Sequence, residues 1–110
     1  MKIIKQISDL IGEEIEGAEE YAKAAIRHKD ENPALAKVMY DISMDELKHV
    51  EMLHGEVVKI ITGYRREKGD PPAAMLAVYE YLHEKQIEAV NKIKMYQSHY
   101  RDGPAGDKRI

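Results

Sequence analysis

The sequence predicts an all-α fold: an antiparallel helical hairpin followed by a third long helix. Three observations carry that reading. Strong chain breakers are confined to "KDENP" (29–33), "EKGDPP" (67–72) and the terminal "RDGPAGDKRI" (101–110). The segments between them are rich in Ala, Glu, Lys, Ile and Met, residues that favour helix. No stretch of useful length alternates apolar and polar residues with the two-residue period of a strand.

The first helix is predicted near residues 3–29. Its apolar stripe runs through Ile4, Ile7, Ile11, Ala18, Tyr21, Ala22 and Ala25. The second is predicted near 33–66, with Asn32 as N-cap and Pro33 in the first helical position. Its stripe runs through Leu35, Met39, Ile42, Leu53, Val57, Ile60 and Tyr64. The third is predicted near 71–100, with Asp70 and Pro71 repeating the same start signal. Gln86 lies near the middle of its stripe and needs a hydrogen-bond partner there. Residues 1–100 read as one helical domain, and 101–110 as a flexible C-terminal tail.

Composition narrows the function. The chain has 110 residues, enough for one domain with its own core. It has no Cys, which excludes disulfides, thiolate metal sites and Cys nucleophiles. The seven Tyr are its only aromatic residues apart from His. A net charge of −3 with interleaved signs gives no footprint for nucleic acid or an anionic membrane. The apolar runs fall far short of the ~20 residues that span a bilayer. The opening "MKIIKQISDLIGEE" lacks the apolar core of a signal peptide. A soluble, cytoplasmic protein is expected.

The polar residues that interrupt these stripes carry the chemistry. Glu14 is the one acid within the stripe of helix 1; Glu13, Glu16, Glu19 and Glu20 point away. On helix 2, Glu46 falls roughly 15° and His49 roughly 45° from the stripe centre. The pair Glu51 and His54 is displaced by roughly 155° and 95° and reads as a solvated face. On helix 3, Glu80 and His83 lie outside the stripe and at its edge, and read as helix surface. An unpaired carboxylate inside an apolar stripe costs several kcal/mol or is forced to protonate. Glu14 stands 17 residues before residue 31 and Glu46 stands 15 after it, so a hairpin turning there brings both to nearly one height. His49 follows one turn on. Two carboxylates and an imidazole then converge in an apolar interface, and a divalent cation is the ordinary way to make that favourable.

One chain thus offers Glu14, Glu46 and His49, half of a di-metal site. A carboxylate-bridged di-iron site in a four-helix bundle uses four Glu and two His. Two copies of the chain supply that inventory, and isologous pairing of the two hairpins puts the half-sites face to face.

The pattern resembles the ferritin and rubrerythrin superfamily. There a Glu is followed seven residues later by an aromatic on helix 1, and Glu-x-x-His follows on helix 2. Here these are Glu14 with Tyr21, then Glu46 with His49. "EEIEGAEEY" and "NPALAKVMYDISMDELKHVEML" are most similar to the encapsulated ferritins, over roughly residues 10–60. The resemblance implies a ferritin-like four-helix bundle completed by dimerisation, in a homodimer or a larger ring of dimers. It implies a ferroxidase that oxidises Fe²⁺ with O₂ or peroxide in iron storage or detoxification. Glu46 of each chain would bridge the two ions, with Glu14 and His49 as terminal ligands. Tyr21 would quench a radical, although plain core packing is the simpler reading of that residue. Shell-bound members of the family end in a short apolar peptide. The tail "GPAGDKRI" offers only Ile110, so an encapsulin shell, and a place inside a protein nanocompartment, is the weaker partner expectation. The alternatives are a rubrerythrin-like or manganese-catalase-like di-metal protein that removes peroxide, and a metal-free helical dimerisation module.

Overall fold

The computed structural model describes residues 2–103. Three helices fill it: α1 (Lys2–His28), α2 (Pro33–Lys68) and α3 (Ala73–Asp102). Among the described residues there is no strand, and no helix is long and apolar enough to cross a membrane. The rod measures 56 × 20 × 19 Å. That length is the rise of α2 itself at about 1.5 Å per residue, so the other two helices lie alongside it. Of the predicted tail, Arg101 and Asp102 extend α3, and residues 104–110 lie outside the described residues.

The turns follow from their residues. Asn32 Oδ1 accepts the Leu35 backbone N–H at 3.2 Å, and Pro33 opens α2. The α2 helix ends at Gly69, whose φ of 80° is costly for any residue with a Cβ. Its N–H donates to the Arg65 carbonyl at 3.1 Å. The start of α3 differs from expectation. Asp70 does not cap it; its carboxylate pairs with Arg65 Nε at 3.4 Å, and Pro72 takes the cap position with no side-chain bond. The reason is the second proline, which disfavours helical geometry at Pro71 and delays the helix to Ala73.

The core gathers Ile11, Ile15, Ala18 and Ala22 of α1, Leu47 of α2 and Ile93 of α3. Fully buried Ala18, Ala22 and Ala25 let the neighbouring helices approach closely. A buried polar tie joins all three helices. Ser43 Oγ donates to the Ala18 carbonyl at 2.7 Å, and Gln97 Nε2 donates to Ser43 Oγ at 2.9 Å. Nearer the other end, Gln86 Nε2 donates to the carbonyl and hydroxyl of Ser8 at 3.3 and 3.2 Å, which supplies the partner its position demanded.

One placement corrects the sequence reading. His54 and His83 are not simply solvated. Their rings stack between α2 and α3 with centroids 4.4 Å apart. Burial, and then the His83 imidazole, hold His54 below its ordinary 6.5. The unfolded chain therefore takes up this proton at a higher pH than the folded one. Stability from this source is intact above 6.5 and is lost as pH falls through the window down to the lowered folded value. Chelator-treated protein is expected to melt at progressively lower temperature as pH falls below 6.5. His54→Phe, which keeps a ring in the stack, is expected to flatten that slope.

Candidate metal centre

The hairpin brings the predicted trio to one level. Glu14 Oε2 lies 3.3 Å from His49 Nδ1 across the α1–α2 interface. Glu46 sits one turn before His49 on α2, and its carboxylate lies against Gly17 of α1, where a Cβ would overlap Oε2. Gly17 stands three residues after Glu14 and so shares its side of α1. The missing side chain makes the space in which the Glu46 carboxylate lies. Burial pushes the Glu46 carboxyl above its usual value, and the nearby charges of Glu14 and Glu20 push the same way, against the opposing pull of His49. The two carboxylates disfavour each other's ionisation, and the imidazole offsets this in part.

The centre is less enclosed within one chain than the helical wheel implied. The side chains of His49 and Glu14 are 53% and 33% exposed. Among the described residues, no group of three or more His, Asp or Glu side chains stands close enough together to hold a metal ion. Tyr21 is 37% exposed rather than packed in the core, and it borders an open cleft of about 480 Å³ with Glu20, Arg27 and Met39. Glu51 and Glu80 stand exposed, as expected.

The exposure has a pattern. Leu35, Val38, Ile42, His49 and Met52 recur on α2 at three- and four-residue steps or their sums, and so share one side. Ile3, Leu10, Glu14, Gly17 and Tyr21 do the same on α1. Of these, Ile3, Leu10, Tyr21, Leu35, Val38 and Met52 are exposed large hydrophobics. The third helix packs elsewhere. It meets Ser8 and Glu19 of α1 through Gln86 and Lys92, and Ser43 and Tyr40 of α2 through Gln97 and Arg101. The trio therefore opens onto an apolar face that α3 leaves bare. A contiguous apolar face interrupted by a few ionisable groups marks an interaction surface.

Gly17 and Glu20 were not singled out from the sequence. A lone Gly within a strongly helical segment is the signal that could have found Gly17. Glu20 has no such mark, since it lies among other acids on the polar side of α1. Gly17→Ala is expected to raise helix propensity by up to about 1 kcal/mol while expelling the Glu46 carboxylate from its place. The expected result is a melting temperature unchanged or higher, with iron uptake sharply reduced. Thermal melts and metal analysis of the same preparation check it.

No family model, no curated protein and no solved structure matches the chain.

Proposed function

We propose that two copies of this chain pair through the bare α1–α2 faces, complete a four-helix bundle, and oxidise Fe²⁺ at the centre so formed. The observation that supports this most is the position of Glu14, Glu46 and His49 together on that uncovered apolar face. A two-fold axis through it doubles the trio to the four Glu and two His of a di-iron bundle. Pairing would also remove the trio from water, so that the charge repulsion already felt by Glu46 becomes a stronger demand for cations.

Each residue has a task in this reading. Glu46, whose carboxylate rests against Gly17 of its own chain, would turn toward the axis to hold a metal shared with its counterpart. Glu14 and His49, already paired, supply one oxygen and one nitrogen ligand and orient each other. Tyr21, two turns from Glu14 on the same side, would give up an electron or hydrogen when the oxidant is incompletely reduced. Two Fe²⁺ ions held side by side supply the two electrons that take O₂ to the peroxide level, and leave as Fe³⁺ for storage or detoxification. The test is direct: apo-protein is loaded with Fe²⁺ without oxygen and then exposed to air. About one iron per chain and growth of ferric absorbance are expected. Faster turnover with peroxide than with O₂ would transfer the reading to peroxide removal.

One observation favours a second reading, a metal-free dimerisation module. The Glu14–His49 contact, at 3.3 Å, already gives each group a partner within one chain. In that case the chain dimerises, binds no iron, and Glu14 and His49 serve only to fix the register of the two subunits.

A further inference from the structure

Two of the three Glu-x-x-His pairs take no part in the iron centre, and they meet each other. His54 comes from α2 and His83 from α3, stacked with planes inclined by 20°. Tyr79, one turn before His83, continues the stack at 5.8 Å. Clefts open on both sides of the pair, and both rings line each. One, of about 240 Å³, adds Glu51 and Lys94; the other, of about 250 Å³, adds Glu80 and Arg65.

The Nε2 atom of His54 is buried and has no hydrogen-bond partner. A buried polar atom in that state is uncommon and needs a cause. An imidazole nitrogen with no donor or acceptor near it, beside a second imidazole from another helix, is a metal ligand in waiting. We propose that His54 and His83 hold one divalent ion of the imidazole-preferring kind, Cu²⁺, Ni²⁺, Co²⁺ or Zn²⁺, across the α2–α3 interface. Coordination requires each ring to turn about χ2, so that the stacked faces become converging edges. Glu51 and Glu80 each precede their His by three residues, and each lines one of the two clefts. Two imidazole nitrogens suit these ions better than Mg²⁺ or Ca²⁺, which require oxygen-rich cages.

The position gives the ion a structural task. No residue from 73 to 92 is fully buried, so the first half of α3 is held lightly. A metal bridge between His54 and His83 fastens that half to α2. The inference stands whether or not the iron centre forms.

The test uses the full chain carrying His49→Ala, which removes the nearest competing imidazole ligand. Cu²⁺ is titrated into chelator-treated protein and followed by paramagnetic resonance. The expected result is about one tight ion per chain with couplings from two imidazole nitrogens, and a loss of affinity of about tenfold or more in His83→Ala. Zn²⁺ is expected to slow amide exchange over 73–92 in the parent and not in His83→Ala. Coupling to a single nitrogen, or copper affinity unchanged by both His83→Ala and His54→Phe, overturns the proposal. The nitrogen count needs no His54 variant, so it decides the matter even if that variant fails to fold.

Discussion

Glu46→Ala and His49→Ala are each expected to lose iron uptake and Fe²⁺ oxidation by about 100-fold or more. Removing a residue that merely orients a ligand already costs about 10–100-fold, and these residues would be ligands themselves. Two-fold pairing magnifies the loss, because each substitution deletes two ligands from the shared centre. The fold should survive. Glu46 is partly buried with its carboxyl pushed upward, which marks a group that destabilises the apo-protein when ionised. Glu46→Ala is therefore expected to leave the melting temperature unchanged or higher while activity vanishes, a combination that separates function from folding. His49, half exposed in one chain, should behave alike. Glu51→Ala and Glu80→Ala are the matched controls, being Glu-x-x-His acids on exposed positions, and should leave iron oxidation within about twofold of the parent.

The second large effect concerns stability. Ile93 is 1% exposed and is the buried apolar residue by which α3 enters the core formed by Ile11, Ile15, Ala18, Ala22 and Leu47, with Ala89, Val90 and Tyr96 packed partly buried around it. Besides it, only Gln97 on that helix is buried, and Gln97 is held by a single hydrogen bond to Ser43. Ile93→Ala removes most of a buried side chain and leaves a cavity, at a cost of about 2–5 kcal/mol. For a domain of this size that is a fall of roughly 10 °C or more in melting temperature. The loss should show first as faster amide exchange in α3, whose one fully buried apolar side chain among the described residues is Ile93. Protein concentration has to be fixed in the comparison, since a dimer's melting point depends on it. The α1–α2 face is untouched by this change, so iron uptake should persist below the melting transition.

The hairpin was legible because its signals are local. Asn32 and Pro33 fix where α2 starts, and Glu14 meets His49, and Gly17 meets Glu46, at the heights a turn near residue 31 requires. Exposure was not legible. A wheel measures an angle from a stripe, but the stripe on α2 is wide enough to serve two faces. Ser43 and Leu47 turn inward, whereas Leu35, Val38 and His49 look outward toward a face that one chain leaves bare. Tyr21 moved from core to cleft edge for the same reason. Helix α3 was the least readable. Its first half buries no residue fully, so its apolar pattern is faint, and the meeting of His54 with His83 depends on the rotation of α3 about its own axis. The Ser43–Gln97 tie was equally silent, since a Ser and a Gln announce no partner until three helices are in place.

The central claim is that one subunit holds half a centre and its twin holds the rest. Anomalous diffraction at the iron edge from iron-loaded crystals tests it most directly. Two peaks about 3.5–4 Å apart across a molecular two-fold axis are predicted, with Glu14 and His49 of one chain at each peak and both copies of Glu46 between them. Iron bound within a single chain away from any two-fold axis, or a dimer whose Glu46 carboxylates face solvent, would contradict it.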